Sequence, residues 1–581
     1  MNTRTKTGLQ ILHVAIVLGV LGNVLLREVP WGLNVLLFNV AFVTGMIGLL
    51  RWFRPEYLNR HTLGLFGAQV FFAAMFVWRD SIELRVADSI AILTILSVLF
   101  LPSMKVKTQF AGVFHYVVGF VWSSINAAFM TGVLLVSDIE WAGIERKGWS
   151  KHAFSVLRGI AIATPIILIF GGLFVAADEV YQGWVERVFD VKPEIVFTHV
   201  LLTGIFAWLS AGYLRGVLLS KNTADAGQPS IVPAADPNLS KVENMQAETV
   251  VNSAALPDNL SVLEYINRSD PPNSPAADKA SEANGNSPVT ENTRSNWLEF
   301  ENTILPPAFT LGTVEVGVIL GLTNLLFLSF VIVQVPYLFG GMDLVQATPD
   351  FKLADYARRG FGELVTVAGL VLPILLVSHW LIKKDSPVAT TIFRVFAAIQ
   401  ILLLFVIMAS AANRLILLTG NLGYGLTTVR LYPMIFMAWL AIVFVWFGAT
   451  VLRGARQHFA WGALWSAFLI LGATHVLNPD AFIVKTNIAL MQQGREFDAS
   501  YNANLSSDAT PLLLESFSTF TDQDQLTIIR HLAHKHCQNI GGDDLRSWNL
   551  SRLHASRVLQ VDMGMMSKIG GCDPSTTSDG F

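Results

Sequence analysis

His531, His534, His536 and Cys537 crowd one short stretch of the C-terminal region, and imidazole with thiolate is the ligand chemistry of zinc. His531 and His534 share one face of a helix, but His536 and Cys537 point elsewhere if that helix continues. Three ligands converge only across a break, so the plainer reading is an exposed polar helix face, and no metal or other cofactor is assigned. Glu315 and Glu363 invite reading as a paired acid and base. Yet Glu315 opens one apolar run and Glu363 the next, which separates them by roughly 30 Å of helix at ~1.5 Å per residue, too far for any two-carboxylate mechanism. Arg359 and Glu363, four apart, can instead pair along one helix. Asn126, Asn324 and Gln400 each sit near the centre of an apolar run. Such amides act as interhelical hydrogen-bond glue or, gathered round a cavity, as a site for a polar solute. Asp88, His115, Asp178 and Glu179 lie near the ends of such runs, where an ionisable side chain costs less. Phosphate-loop, zinc-hydrolase, nucleophile-elbow and kinase signatures are all absent from the sequence, which weakens the case for an enzyme.

The elements that must position these residues are membrane spans. The 581 residues are 52% hydrophobic and 14% charged, against roughly 25% charged in an ordinary soluble protein. Long apolar runs alternate with short charged loops, the pattern of an all-α polytopic bundle in the lipid bilayer. Runs long enough to cross lie at 9–26, 31–50, 62–78, 86–102, 111–136, 154–177 and 195–219, and then at 309–335, 360–382, 390–412, 429–452 and 459–477. The first follows a basic start but has no small-residue cleavage site after it, so it reads as a span and not as a removed signal peptide. A net charge of -3 without a basic stripe excludes nucleic acid as a partner.

Five segments follow: an N-terminal bundle over 1–219, a linker over 220–298, a second bundle over 299–477, a helical tail over 478–567 and a loose end over 568–581. The linker is rich in Ala, Asn, Ser, Pro and Asp and cannot bury enough apolar surface to offset its ordering entropy, so it is expected to be disordered. In the tail, apolar residues recur at three and four spacing after Asp508 and again after Asp522, which predicts a small soluble helical domain. Cys537 lies in this tail and Cys572 in the loose end. They read equally as free thiols and, in an oxidising compartment, as one bridge.

Lysine and arginine in short loops normally set orientation. With about twelve conventional spans and a cytoplasmic N-terminus, Arg4, Lys6, Arg51, Arg54, Arg60, Lys105 and Lys107 fall inside, but Arg146, Lys147, Lys151, Lys383, Lys384, Arg453 and Arg456 fall outside. One miscounted element removes the conflict. The segment 111–136, interrupted by Ser123, Ser124 and Asn126, reads as a broken or re-entrant element that returns to its own side, which leaves the tail outside; as a conventional span it leaves the tail cytoplasmic.

The stretch from Leu311 to Glu363 carries Tyr337-Leu338-Phe339-Gly340-Gly341 and Tyr356-Ala357-Arg358-Arg359-Gly360-Phe361, and the tail carries Asn478-Pro479-Asp480-Ala481, Asp508-Ala509 with Pro511, and Trp548-Asn549-Leu550-Ser551. With these motifs in order, the chain resembles a family of bacterial multi-pass membrane proteins known as a domain of unknown function. The resemblance implies a bacterial cell membrane and a tail integral to the architecture, and brings no reaction. Gln334, Tyr337, Gly340, Gly341, Tyr356, Arg358, Arg359 and Glu363 are expected to meet at one membrane face. A regulatory or scaffolding protein that presents its tail and this loop to protein partners is the leading expectation. A transporter for a small or lipid-like solute, built on Asn126, Asn324 and Gln400, is the alternative. An envelope-lipid enzyme using Tyr356, Arg358 and Glu363 is the third.

Overall fold

The structure is a computed structural model that describes residues 2–141, 193–219, 313–339, 361–382, 387–416, 419, 425–539 and 544–561. Among them there is no strand, and eleven helices are long and apolar enough to cross a membrane. In chain order these are α1 (Thr3–Leu26), α2 (Leu33–Phe53), α3 (Arg60–Trp78), α4 (Ile82–Phe100), α5 (Val113–Val133), α6 (Pro193–Leu219), α7 (Thr313–Phe339), α8 (Phe361–Leu381), α9 (Pro387–Ile416), α10 (Thr428–Thr450) and α11 (Phe459–Leu477). The tail follows as α12 (Pro479–Gln492), α13 (Ala499–Asn504), α14 (Thr510–Glu515), α15 (Asp522–Asn539) and α16 (Leu550–Val561). The expected run at 154–177 and the linker lie outside the described residues.

Two apolar cores form. One joins α1 to α6 through residues such as Ile11, Met46, Phe72, Ile95 and Leu214; the other joins α7 to α11 through Leu320, Leu375, Phe393, Leu404 and Phe447. Helix α11 is the seam. It gives Leu464 and Phe468 to the first core and Phe459 to the second, and Phe468 meets Phe72 edge to face at 5.1 Å. Because lipid is as apolar as these side chains, close packing and interhelical hydrogen bonds hold the helices together.

The contacts sort the helix ends onto two faces. Helix α1 runs antiparallel to α6: Gly19 faces Thr203 and Ala207, and Asn23 meets His199 at 2.9 Å. At the first face, Arg54 donates to the Leu218 carbonyl at 3.3 Å, joining the ends of α2 and α6. Phe110 stacks edge on with His458 at 5.4 Å, which brings the start of α11 to the same face. At the second face, Arg79 after α3 donates to the carbonyl of His475 near the end of α11.

Helix α5 departs from this up-and-down order. With the π-helical turn Leu134–Asp138 it is one continuous 26-residue helix, which run parallel to its neighbours would separate its ends by roughly 39 Å. Instead it starts beside Phe110 on the first face and ends with Asp138 between Arg4 and Arg215, at 2.5 and 2.6 Å, also on the first face. It therefore lies obliquely against the end of α4 and the second half of α6, where Thr131 Oγ1 donates to Trp208 O. The serines and asparagine expected to break it do not, because Ser123 and Ser124 donate to Phe120 O and Asn126 donates to Trp122 O, all within the helix itself. A crossing this close needs Gly212 on α6, where a Cβ would stand 2.4 Å from the Asn126 carbonyl oxygen. Asp138 is wholly buried, and two guanidiniums compensate its charge.

With α5 returned to its own side, Arg4, Lys6, Arg51, Arg54, Arg60, Lys105, Lys107, Arg453 and Arg456 all fall at or next to helix ends of one face. The conflict in the charge count disappears among the described residues.

Candidate functional site

The densest polar construction among the described residues is the junction where the tail meets the second face. Its foundation is the end of α3, whose last carbonyls need donors from outside the helix. The tail supplies them. Asn549 donates to Phe76 O at 2.8 Å and to Arg79 O at 2.9 Å, and Ser551 donates to Trp78 O at 3.1 Å. On the same segment the Trp548 carbonyl accepts the Leu33 N–H at the start of α2 at 3.0 Å. A Cβ at Gly32 would lie 2.6 Å from that carbonyl oxygen, so glycine is needed for the approach.

Asp508, at the turn before α14, is the centre of the junction. Its carboxylate accepts from the Asp80 N–H at 2.7 Å, from Arg79 Nη1 at 3.2 Å, from Ser506 Oγ at 3.2 Å and from Ser551 Oγ. Two of these donors belong to the bundle and two to the tail. Asp80 reciprocates: it accepts from Ser507 Oγ at 2.7 Å, pairs with Arg85 and lies 3.1 Å from Arg552 Nε. Three tail residues from two of the separated motifs, Asp508, Asn549 and Ser551, thus gather round Arg79 and Asp80.

Two further acids differ from Asp508. Asp480, at the start of α12, accepts the Ser506 N–H at 3.1 Å through one oxygen while its other oxygen is buried without a hydrogen-bond partner. Burial pushes its carboxyl up to about 6, against the lowering effect of Ser506. Deeper in the seam, Asp88 on α4 meets His475 on α11, with Nε2 at 3.1 Å from Oδ2 and both side chains buried. His475 Nδ1 lies 2.8 Å from Leu471 O, and since a carbonyl only accepts, Nδ1 carries a hydrogen. The contact to Asp88 then requires one more proton between Nε2 and Oδ2. The pair is a proton-holding link between the two cores.

Lys535 on α15 donates to Ala503 O at 2.6 Å and to Leu505 O, and burial lowers its ammonium to about 8. It locks α15 onto the turn after α13. Around it the tail has its own apolar core, with Ile483, Leu513, Ile528 and Leu532, to which Leu426 and Leu431 at the start of α10 also belong.

The residues expected to carry function are distributed otherwise. Gly340, Gly341, Tyr356, Arg358 and Arg359 lie outside the described residues; Gln334, Tyr337 and Glu363 fall on α7 and α8, where only the backbone is described. Of the amides, Asn324 on α7 donates to Phe396 O on α9 at 2.9 Å, and Gln400 lies one turn after Phe396 on α9. Asn324 Oδ1 and both amide atoms of Gln400 are buried with no hydrogen-bond partner. Asn126 does not join them: it faces α6 in the other core, with its Oδ1 close to Gly216. Of the glycines on α7, Gly317 faces open space and Gly321 only approaches the Phe396 ring. In the tail, His531 bonds to Thr527 O and Ser500 Oγ at 2.9 and 3.4 Å, and the side chains of His536 and Cys537 are outside the description. Among the described residues no group of three His, Cys, Asp or Glu is placed to hold a metal.

Sequence reasoning missed Arg79, Asp80 and His475. A usable signal existed in the adjacent opposite charges Arg79-Asp80 directly after an apolar run, since charges at a span end are cheap singly but become a docking point when a distant acid needs donors.

A family model described as a domain of unknown function, DUF4153, matches residues 66–254 and 288–516, well over half of the chain. No curated protein and no solved structure matches.

Proposed function

We propose that this chain, which belongs to the DUF4153 family, is a non-enzymatic scaffold of the bacterial inner membrane that holds its helical tail rigidly on the non-cytoplasmic face for a protein partner. The observation that carries this reading is Asp508, whose carboxylate takes donors from both bundle and tail at once. A tail attached only by its connection to α11 would not need such a clamp. The orientation follows from the basic residues, which crowd the face opposite the tail, and such crowding marks the cytoplasmic side.

Two measurements test the reading. An impermeant thiol reagent applied to intact cells should label the tail cysteines Cys537 and Cys572; labelling only after permeabilisation overturns the orientation. Cross-linking of the full chain in its own membrane should recover a reproducible partner that is lost on removing 478–581. Absence of any partner, together with no cellular consequence of that deletion, overturns the scaffold.

A second reading, a transporter for a small polar solute, is favoured by the unpartnered Oδ1 of Asn324 on α7 and the unpartnered amide of Gln400 on α9, which a solute could satisfy. Uptake into vesicles that disappears with Asn324→Leu would establish it over the scaffold.

A further inference from the structure

At the second face a cavity of about 440 Å³ opens between the end of α1, the start of α6 and the turn Leu545–Ser547 before α16. It contains donors and acceptors of both signs. Asn23, 7% exposed, lines it, and its Oδ1 is buried with no hydrogen-bond partner. Its amide nitrogen contacts His199 Nδ1 at 2.9 Å. An amide nitrogen only donates, so Nδ1 accepts and the ring hydrogen sits on Nε2, which remains a donor.

Two guanidiniums stand at the rim, each paired with a carboxylate. Arg27 bonds to Glu28 through Nε and Nη2 at 3.2 and 2.9 Å, which leaves Nη1 to donate. Arg546 bonds to Asp544 through the same two nitrogens at 2.8 and 2.5 Å and reaches the Val24 carbonyl with Nη1. The Glu28 carboxylate is largely exposed, on a residue held in left-handed backbone at φ 53°.

The rim charges cancel in pairs, so a simple anion or a simple cation would each meet as much repulsion as attraction. A ligand with both signs a short distance apart meets both sets at once. The flanking helices also turn apolar residues outward beside the cavity: Val20 and Val24 on α1, Val200 and Leu201 on α6. Such a surface suits acyl chains.

We infer that this cavity binds the phosphoethanolamine headgroup of a phospholipid in the adjoining leaflet. The phosphate takes Arg27 Nη1 and His199 Nε2–H; the primary ammonium, with three hydrogens to donate, takes Asn23 Oδ1 and the Glu28 carboxylate. A choline headgroup fills the same volume but has no N–H for Asn23, and a glycerol headgroup has no cation for Glu28. The inference does not depend on the scaffold reading.

The test uses the delipidated full chain in detergent, titrated with dioleoyl phosphatidylethanolamine, phosphatidylcholine or phosphatidylglycerol and read by native mass spectrometry. The ethanolamine lipid should be retained roughly tenfold better than the other two, the scale of one charge-assisted hydrogen bond. Glu28→Gln, at an exposed position that leaves the fold intact, should erase the preference over glycerol, and Arg27→Gln should weaken all three lipids. Equal retention of the three, or unchanged retention in both variants, overturns the site. Free phosphoethanolamine is the remaining arm: if it saturates the protein while no lipid is retained, the source is a soluble compound and the lipid assignment fails.

Discussion

Asp508 and Gln400 are both nearly devoid of solvent, yet the molecule treats them in opposite ways. At the tail junction the Asp508 carboxylate is surrounded by four donors. On α9 the Gln400 amide, 0% exposed, has neither of its polar atoms bonded. A buried polar group that is fully bonded fixes one arrangement of its neighbours, whereas one left unbonded costs stability without fixing anything. The first is the mark of a fastening. The second leaves bonding that another group can complete.

The sharpest way to break that contrast is to remove the clamp. Asp508→Ala leaves Arg79 and the Asp80 N–H without their partner in a buried setting, and breaking such an ion pair from one side typically costs about 3–5 kcal/mol. The variant should expose the tail to limited proteolysis, first in the turn between α12 and α13, while the bundle core melts nearly as before. A tail as resistant as in the parent chain would show that the junction is held by its apolar contacts alone.

Asp480 lies beside the clamp but behaves unlike it, and pH separates the two. Its folded carboxyl is raised to about 6 from 3.8, so between these values the folded state binds more protons than the unfolded state. Stability from this group is therefore present at low pH and is lost as pH rises through about 6. The loss amounts to roughly 2–3 kcal/mol at about 1.4 kcal/mol per unit. Asp480→Asn, which is neutral at every pH, should flatten the dependence of thermal stability between pH 4 and 7. A slope equal to that of the parent chain would assign the dependence to another group.

How much of this was legible in the sequence follows from range. The membrane helices were legible because each is a run of apolar residues, a local property, and their edges agree with the structure to within a few residues apart from longer ends. That α5 lies across its neighbours was legible only indirectly, from the misplaced basic loops; its polar residues suggested a break, whereas they bond back into the helix and leave it whole. The junction was not legible. Asp508 and Arg79 are separated by 429 positions, and no local spacing connects a carboxylate in a tail turn to a guanidinium at a span end. Asn324 bonds to α9, the helix that carries Gln400, but Asn126 shares the same depth signal and belongs to another helix pair.

Gln400 offers the finer test of the contrast. If its amide is an unbonded group and nothing more, Gln400→Leu removes a desolvation penalty of about 1–3 kcal/mol and raises the melting temperature of the bundle. If a solute completes its bonding, the same substitution abolishes solute-dependent stabilisation, and the melting temperature ceases to respond to added ligand. A drop in stability without ligand would mean that the amide is bonded in the membrane and the contrast with Asp508 fails.

The smallest expected effect tests the second layer of the fastening. Asn549 donates to two carbonyls at the end of α3, and its Oδ1 accepts the Arg552 N–H at 3.0 Å, so it also sets the start of α16. Asn549→Ala should cost about 1–2 kcal/mol, as a lost cap does, and so lower the protease resistance of the tail less than Asp508→Ala does. Because Asn549 and Asp508 share Ser551 and Arg79 as neighbours, their effects should not add. In the double variant the tail should be released little more than by Asp508→Ala alone. Strict additivity would instead describe two independent attachments, with no common clamp between bundle and tail.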